Sequence, residues 1–343
     1  MSGGVDSSVT AMLLKEAGWN VLGVTMKIPV ARSCSDRARA CCGEEAAFVC
    51  HKLDIPHYFL DVEQAFESCV IEPFRQAYAG GLTPNPCVNC NTCLKFDQVW
   101  NFLEESFDIR YLATGHYARV IHQGNQAYLA RASDLAKDQS YFLYGIPRLR
   151  LPYLGLPLGD KTKLNVRDLA RQNGLHVAEK PESMELCFAG EGDYRQALSE
   201  KEPAAQGPVL NMAGEVIAYH NGIASYTIGQ RKGLGIAAGA PLYVTRICPQ
   251  DNSITVGTRE EASCRQVRAG TIRILIPEKL YPGANLYGKI RSYGNPSACT
   301  VTEVSEDRVM VGFESPQFAP TLGQHLVLYD EDDHVAAGGV IST

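Results

Sequence analysis

The sequence predicts an α/β domain built on a parallel sheet, followed by a small central β domain and a C-terminal β-barrel. Helical and strand patterns alternate from residue 1 to 196, which is typical of a parallel sheet covered by helices on both faces. Helical spacing then stops, and short strands separated by turn residues occupy 197–265. The strand pattern continues through 266–343, as expected of a barrel.

Each element follows from the spacing of its apolar residues. Val9, Met12 and Leu13 lie on one side of a helix predicted over 7–17, which Gly18 ends. The other elements predicted for the first domain are strands over 21–26, 57–62 and 111–114, and helices over 44–53, 65–78 and 94–107. The strands predicted after residue 200 are 208–211, 216–220, 240–247, 253–256, 271–276, 287–293, 308–313 and 325–329.

Charge and composition exclude several classes of protein. The chain has 343 residues, 45% of them hydrophobic, and a net charge of −6. This balance excludes a uniformly basic nucleic-acid coat, although it allows a local basic patch. Because we find no apolar run long enough for a membrane span and no secretory signal, we expect a cytoplasmic protein. In that compartment, the 12 cysteines indicate metal ligands, reactive thiols or buried apolar residues rather than structural disulfides.

The most informative segment is Ser2-Gly3-Gly4-Val5-Asp6-Ser7-Ser8, which opens the first helix. Glycine lets the backbone approach an anion closely, and a helix N-terminus offers unpaired N–H groups and the positive end of its dipole. The serines add hydroxyl donors, and Asp6 is suited either to hold Mg²⁺ or to cap the helix. Since the loop contains no lysine, it suits pyrophosphate better than a transferred γ-phosphoryl group. A plain capped helix is the structural alternative.

A second candidate site lies in the cysteines. The prolines of Thr83-Pro-Asn-Pro stiffen a loop that leads through Cys87, Cys90 and Cys93 into a helix. A thiol near a helix N-terminus has a lowered pKa, so we expect reactive thiolates here. The same spacing is also typical of metal ligands. Cys187 places another thiol in a separate loop.

The other cysteines carry weaker signals. A metal site is one interpretation of the cluster formed by Cys34, Cys41, Cys42 and Cys50, and a set of buried or incidental residues is the preferred one. The cysteines that we interpret as small core residues are Cys69, Cys248, Cys264 and Cys299. Cys93 is interpreted as a further ligand or a spare thiol.

Five further motifs occur in a fixed order with the Ser2–Ser8 loop. They are Thr83-Pro-Asn-Pro with Cys90-Asn91, Ala113-Thr-Gly-His-Tyr117, Lys137-Asp-Gln-Ser-Tyr-Phe-Leu143, Cys187-Phe188, and Ile228-Gly-Gln-Arg-Lys-Gly-Leu-Gly-Ile236. Together they resemble the bacterial tRNA-specific 2-thiouridylases, the MnmA family of the PP-loop ATP pyrophosphatase superfamily. The resemblance implies an adenine-nucleotide-hydrolase-like domain, a central β domain and a C-terminal tRNA-binding barrel. It also implies ATP- and Mg²⁺-dependent thiolation at C2 of the wobble uridine in the tRNAs for Lys, Glu and Gln.

The same resemblance implies roles for individual residues. Cys187 would carry sulfur as a persulfide accepted from a relay partner, and Cys90 would then form a disulfide with Cys187. The implied sulfur donor is a cysteine desulfurase relay or inorganic sulfide. The implied ATP-binding residues are Met1, Ser2, Gly3, Gly4, Val5, Asp6, Ser7, Met26 and Gly115. The implied contacts with the tRNA anticodon stem-loop are Asn85, Pro86, Cys87, His116, Lys137, Asp138, Gln139, Arg291, Ser292 and Gln324.

The chain departs from the family pattern at three places. Cys87 stands where an acidic residue is common, and Ser292 stands where an aromatic residue is common. The alternative to the persulfide scheme is that Cys87, Cys90 and Cys187 hold a 4Fe–4S cluster, as in some related tRNA thiolases, with bound sulfide as the attacking group. The family also has a buried strand before the phosphate loop. Because this chain begins at the loop, we expect that strand to be missing, through a misassigned start codon or a truncation.

Two other classes of function remain open on the sequence alone. One is another PP-loop enzyme, such as an amidotransferase or an argininosuccinate-type synthetase, for which Cys187 would not matter. The other is a non-catalytic, metal-stabilised RNA-binding protein, which would bind tRNA without consuming ATP. The intact phosphate loop argues against the second class.

Overall fold

The computed structural model describes residues 1–29, 36–181, 186–188, 205–236 and 239–342, with the backbone alone for 36–42. These residues belong to two compact units. The first consists of Met1–Val70 and Cys87–Tyr194, and the second of Ile71–Pro86 and Arg195–Thr343. The short segment Ile71–Pro86 therefore belongs to the second unit although it interrupts the first in sequence.

The first unit contains the predicted parallel strands. Helix α1 (Val5–Glu16) leads to β1 (Gly23–Lys27), and helix α2 (Asp36–Lys52) leads to β2 (His57–Asp61). Strands β1 and β2 pair in parallel, with Gly23 opposite His57. Two short strands, β3 (Leu112–Ala113) and β6 (Leu154–Gly155), form a second parallel pair. Between them lies a hairpin of β4 (Ala118–Gln123) and β5 (Gln126–Arg131), which the sequence analysis does not predict.

Two long helical segments contain π-helical turns. The segment predicted over 65–78 consists of α3 (Glu63–Phe66), a π-helix (Glu67–Ile71) and α4 (Glu72–Ala79). The segment predicted over 94–107 begins earlier, with α5 (Pro86–Asn89), a π-helix (Cys90–Val99) and α6 (Trp100–Phe107). It ends at Asp108, whose φ of +54° is left-handed. A π-helix pairs residues five apart and is often found at functional sites.

Helix α7 (Lys163–Gln172) packs against α1. Thr162 caps it, since the Thr162 side chain accepts a hydrogen bond from Asn165 N–H and the Asn165 side chain accepts one from the Thr162 backbone N–H. Val5 and Val9 of α1 share a buried apolar cluster with Val166 of α7. The 3₁₀ turns that complete the described part of this unit are Ser140–Phe142, Arg148–Tyr153 and His176–Glu179.

The second unit begins its β structure with a four-stranded sheet. Its strands are β7 (Gly207–Leu210), β8 (Val216–His220), β9 (Tyr243–Cys248) and β10 (Ser253–Gly257), in the order β8-β7-β10-β9. Strand β7 pairs with β10 in parallel, and the other pairs are antiparallel. Val209, Val244 and Ile254 form the centre of its core. 3₁₀ turns at Ile223–Ser225 and Pro277–Lys279 lie elsewhere in this unit.

The remaining strands close into the predicted barrel. They are β11 (Ser263–Ile274), β12 (Asn285–Lys289), β13 (Ser297–Val304), β14 (Arg308–Phe318), β15 (His325–Tyr329) and β16 (Val335–Ser342), in the order β11-β14-β13-β12-β15-β16. Strands β13 and β16 are not among the strands predicted from the sequence. Gly339 in β16 lies so close to β11 that a Cβ would come within 2.6 Å of Gly270 O, so only glycine fits there.

In the part of the chain that the structure describes, no helix combines the length and the apolar character needed to cross a membrane.

Candidate active site

Residues 2–8 form a turn that is closed by its own serines. The hydroxyl oxygens of Ser2 and Ser7 lie 3.1 Å apart, and Ser2 N–H donates to Ser7 Oγ at 3.2 Å. Gly3 has a φ of +68°, a left-handed conformation that favours glycine. Gly4 is the N-cap of α1 and offers no side chain to the first turn. The N–H groups at the start of α1 are therefore placed to bind an anion.

Gly115 lies against this turn. A Cβ at Gly115 would come within 2.9 Å of Asp6 C and Ser7 N, so the close approach requires glycine. On the other side, Thr25 Oγ1 donates to Met1 O at 2.8 Å, which connects β1 to the start of the turn. Met26 is the next residue of β1 and is half-buried. The ATP-binding roles of Met26 and Gly115 stay predictions.

Asp6 is engaged by two residues from distant elements. Lys163 Nζ lies 2.8 Å from both carboxylate oxygens of Asp6. Tyr117 donates its hydroxyl to Asp6 Oδ1 at 2.9 Å. Asp6 therefore forms an ion pair rather than capping α1. The packing of α7 on α1 holds Lys163 in reach of the turn, and sequence spacing gave no signal for this contact.

The structure brings Cys187 into the neighbourhood of Cys87 and Cys90. Cys87 and Cys187 are exposed, and Cys90 is buried. Phe188 fixes the Cys187 segment, because its buried ring lies 6.1 Å from that of Phe66 in an edge-to-face arrangement. Cys187 is therefore close enough to Cys90 and Cys87 for their charges to affect its pKa, although it lies far from them in the sequence.

The thiols are protonated at neutral pH. The surrounding protein desolvates Cys187, and the neighbouring Cys90 and Cys87 add repulsion, which together raise the pKa of Cys187 to about 12. Desolvation also raises the pKa values of Cys87 and Cys90. The prediction that a helix N-terminus lowers the pKa of these thiols is therefore wrong, because desolvation has the larger effect.

Lys95 is the cation of this thiol neighbourhood. Its charge opposes desolvation by lowering the pKa values of Cys87, Cys90 and Cys187. In the π-helix Cys90–Val99, residues five apart lie one turn apart, so Lys95 follows Cys90 on the same face. In an α-helix they would be rotated by about 140°. Lys95 cannot be predicted as a site residue from the sequence, since α-helical periodicity does not place it beside Cys90.

Asn91 fixes the position of Lys95. Asn91 is buried, its side-chain amide donates to Phe142 O at 3.1 Å, and its Oδ1 accepts from Lys95 Nζ at 3.0 Å. His116 lies in the same surroundings, with its ring centroid 6.1 Å from that of Phe96. Desolvation, with a smaller effect of Lys95, lowers the pKa of His116 to about 3, so His116 is neutral at physiological pH.

Cys69 and Cys93 form a disulfide, which corrects three predictions. Cys69 is not a simple core thiol, Cys93 is neither a spare thiol nor an available ligand, and the chain does contain a disulfide. The bond connects the π-helix Glu67–Ile71 to the π-helix Cys90–Val99. Gln98 Nε2 donates to Cys69 Sγ at 3.2 Å. Free thiols are expected because the cytoplasm is a reducing compartment. The spacing of residues in the sequence does not reveal that the two helices lie next to each other.

The remaining cysteines behave differently from one another. Cys50 and Cys299 are buried, as predicted for Cys299, whereas Cys264 is exposed, so its interpretation as a core residue is wrong. Cys248 is intermediate. Cys34 and the side chains of Cys41 and Cys42 lie outside the described residues, so the interpretation of that cluster stays open.

Asp138 and Gln139, which the resemblance implies as tRNA contacts, use their side chains inside the first unit. The Asp138 carboxylate accepts from Ala132 N–H and Ser140 N–H at 3.1 Å and pairs with Arg131 at 3.4 Å. Gln139 Oε1 accepts from Tyr117 N–H at 2.9 Å. These contacts build the loop that carries Lys137, which is half-buried. Their contacts with tRNA stay predictions.

Asn85, Pro86 and the barrel residues belong to the second unit. Thr83 N–H donates to Leu322 O at 2.9 Å, and Gln324 Nε2 donates to Thr83 O at 2.9 Å. Gln324 thus binds the backbone immediately before Asn85. Elsewhere in this unit, the exposed Arg291 donates to Phe318 O. Ser292 is half-buried.

Three family models match successive parts of the chain. The model described as the tRNA methyl transferase HUP domain matches residues 1–191, and the tRNA methyl transferase PRC-barrel domain matches 195–258. The aminomethyltransferase beta-barrel domain matches 267–341. The tRNA-specific 2-thiouridylase MnmA 1 of Syntrophus aciditrophicus (strain SB) is 44% identical over 347 residues, which cover 99% of this chain and 91% of the relative.

A second relative agrees with the first. The tRNA-specific 2-thiouridylase MnmA of Pelotomaculum thermopropionicum is 42% identical over 354 residues, covering 100% of this chain and 96% of that protein. The chain belongs to the tRNA-specific 2-thiouridylase family. The resemblance drawn from the motifs is confirmed, and so is the fold class. The individual site residues of this 2-thiouridylase family member stay predictions, because the family match by itself assigns no residue its role.

Proposed function

We propose that the chain catalyses ATP-dependent 2-thiolation of the wobble uridine in the tRNAs for Lys, Glu and Gln, in the cytoplasm. The observation that carries the proposal is that one unit holds both the anion-binding turn 2–8 and the three thiols Cys87, Cys90 and Cys187. The turn suits the leaving pyrophosphate, and the thiols suit the handling of sulfur. Membership of the 2-thiouridylase family supports the assignment of tRNA as substrate.

The first half of the reaction uses ATP and Mg²⁺. The O2 oxygen of uridine is a poor leaving group, so the reaction begins with its attack on the α-phosphorus of ATP. The bond between the α-phosphorus and the bridging oxygen breaks, pyrophosphate leaves, and O2 now carries AMP. The N–H groups at the start of α1 and the hydroxyls of Ser2 and Ser7 bind the pyrophosphate. Asp6 is the candidate to hold Mg²⁺.

The second half replaces AMP by sulfur. A persulfide on Cys187 forms when the Cys187 thiolate takes the outer sulfur from the persulfide of a relay protein, which leaves as a thiolate. The terminal sulfur of this persulfide attacks C2, and AMP leaves with the electron pair of the C2–O bond. The thiolate of Cys90 then attacks Cys187 Sγ. This step breaks the persulfide bond, leaves sulfur on the uridine, and forms a disulfide between Cys90 and Cys187. An external thiol must reduce that disulfide before the next cycle.

A 4Fe–4S cluster is the alternative route of sulfur delivery that the three thiols suggest. Cys87, Cys90 and Cys187 supply three thiols in one neighbourhood, which leaves one iron without a protein ligand. The three sulfur atoms, all of described residues, do not lie within 4.8 Å of one another, as the ligands of a single metal ion would. When bound, such a cluster would supply an open iron that binds the sulfide used for thiolation. Lys95 would favour the thiolate form that ligation requires.

The target uridine has to leave the anticodon stack, because an enzyme cannot reach C2 while the base is stacked in the loop. Asn85, Pro86 and Cys87 are the candidates to contact this base. Lys137 and Arg291 are the candidates to contact tRNA phosphates. Such local cations would let a chain with a net negative charge bind tRNA.

The test is the product. The protein is incubated anaerobically with unmodified tRNA for Lys, ATP, Mg²⁺, a thiol reductant and a sulfur donor, either a cysteine desulfurase with free cysteine or sulfide. The digested tRNA is analysed for 2-thiouridine by mass spectrometry. We expect 2-thiouridine with the wild type and none with Cys187→Ser. Cys248→Ser, which changes a cysteine of the second unit, is the matched control and retains the product. Tight tRNA binding without AMP formation would instead support the non-catalytic RNA-binding class.

Metal analysis separates the two routes of sulfur delivery. If the cluster is present, anaerobically prepared protein contains iron and acid-labile sulfide, and Cys87→Ser loses both. If the persulfide route operates, the protein thiolates tRNA without iron, and mass spectrometry after sulfur loading finds the extra sulfur on Cys187.

A further inference from the structure

We propose that Lys163 is a pyrophosphate-binding residue of the ATP site, and that it supplies from α7 the cation that the turn 2–8 lacks. The inference rests on the proposed use of ATP. It adds to that site a residue that lies far from the loop in sequence and outside the motifs on which the resemblance rests.

Contacts with three other residues hold Lys163 in position. It is the first residue of α7, its backbone N–H lies 3.4 Å from Asp134 Oδ2, and its side chain is only 12% exposed. Its ammonium lies 5.6 Å from the ring centroid of Tyr117 and 2.8 Å from Asp6 Oδ1. A long side chain that is buried this far and aimed at the loop is not a solvated surface cation.

The charge balance explains why a cation is needed there. Asp6 is the only acidic residue of the turn 2–8, and alone it would repel a triphosphate. Paired with Lys163, it contributes no net charge. When Asp6 offers its oxygens to Mg²⁺, Lys163 exchanges the carboxylate for the phosphate oxygens. As the bond to the α-phosphorus breaks, the ammonium stabilises the negative charge that pyrophosphate gains.

A second lysine at the turn has a different role. Lys180 Nζ donates to Gly3 O at 3.2 Å and pairs with Glu45. It therefore holds the backbone of the turn, and its counter-ion lies outside the turn. Lys163 differs from Lys180 because its counter-ion is Asp6, the residue of the turn that is suited to bind Mg²⁺.

The test uses inorganic pyrophosphate itself, so it does not depend on thiolation. Calorimetry measures the affinity for pyrophosphate at fixed Mg²⁺ for the wild type, Lys163→Gln, Asp6→Asn and the double variant. We expect Lys163→Gln to weaken binding at least about tenfold, because a charge-assisted contact is lost. We expect Lys163→Gln to weaken pyrophosphate binding by the same factor when it is added to Asp6→Asn. Lys161→Gln, two residues away, is the matched control and binds like the wild type.

The double variant keeps the inference falsifiable. If Lys163 only neutralises Asp6, the double variant and Asp6→Asn bind pyrophosphate equally, and the inference is overturned. If Lys163→Gln alone unfolds because the half-buried Asp6 carboxylate loses its counter-ion, the double variant is neutral at both positions and carries the comparison. Wild-type pyrophosphate binding without any thiolation would overturn the proposed function and leave this inference standing.

Discussion

The surrounding protein shifts the pKa values of the residues that the site would use. Desolvation raises the pKa of Cys187 to about 12 and lowers that of His116 to about 3, so both side chains are neutral at pH 7. A reactive thiolate therefore has to be produced by something that enters the site, such as a bound metal or the substrate. Among the described groups that affect the pKa of Cys187, Lys95 is the cation, and its charge lowers that pKa.

His325 makes the stability of the barrel depend on pH. Burial lowers the pKa of His325 to about 4, below its ordinary value of 6.5. Between these values the unfolded chain binds a proton that the folded chain does not, so the free energy of unfolding falls as the pH drops from 6.5 to 4. The expected loss is roughly 3 kcal/mol. Urea unfolding of the wild type and His325→Gln across this range measures it.

The variant should show a flatter pH dependence than the wild type over that range. His122→Gln changes an exposed histidine of the β4–β5 hairpin and should leave the slope unchanged. Parallel slopes for the wild type and His325→Gln would contradict this assignment of a buried, neutral His325.

At the scale of elements, local patterns predict the helices and strands better than the contacts between them. Strand β15 (His325–Tyr329) lies where its apolar run predicts it. Helix α7 and its cap at Thr162 are not among the predicted elements. The hairpin β4–β5 escapes prediction because its residues mix polar and apolar types without clear alternation. The π-helix Cys90–Val99 escapes it because its period is not α-helical, and with it the alignment of Lys95 with Cys90. Lys163 and the Cys69–Cys93 disulfide depend on packing between distant segments, which spacing cannot show.

The disulfide is expected to stabilise the first unit without taking part in the reaction. It closes a loop with a sequence separation of 24 residues, for which about 3 kcal/mol is typical. We expect reduction, Cys69→Ser and Cys93→Ser to lower the free energy of unfolding by that amount, measured with denaturant. Thiolation and any bound iron should be retained. Loss of iron in Cys93→Ser alone would show instead that Cys93 is a ligand.

Gln324 is expected to position the loop before Asn85. Its amide donates to Thr83 O at 2.9 Å, and a Cβ on the neighbouring Gly323 would come within 3.0 Å of Leu82, so the two segments are closely fitted. We expect Gln324→Ala to lower the thiolation rate severalfold with little change in tRNA affinity. Gln266→Ala, at an exposed position of β11, is the control. A large loss of affinity with an unchanged rate would show a direct tRNA contact.

At the scale of the whole molecule, the chain passes between its two units more than once. Sequence analysis places the first domain at 1–196, but Ile71–Pro86 belongs to the second unit. Gly81 in this segment lies so close to Pro249 that a Cβ would come within 2.6 Å of its ring. Composition and periodicity cannot reveal such an exchange, because the segment is an ordinary amphipathic helix and turn.

A fragment of residues 1–196 should therefore be cut where the full chain is not. It retains the segment Ile71–Pro86 but lacks the residues of the second unit that pack on it, including Leu322 and Gln324. We expect limited trypsin digestion to cleave after Arg75 in the fragment well before the full chain is cut there. Equal resistance at Arg75 would show that the segment folds without the second unit.

The central claim is that the turn 2–8 and the thiols perform the two halves of one reaction. The most direct measurement follows pyrophosphate and 2-thiouridine in the same anaerobic reaction with unmodified tRNA for Lys. We predict that the wild type forms them in equal amounts. Cys187→Ser should release pyrophosphate only to the level of the enzyme present and form no 2-thiouridine. The account is contradicted if Cys187→Ser still makes 2-thiouridine, or if the wild type makes it without releasing pyrophosphate.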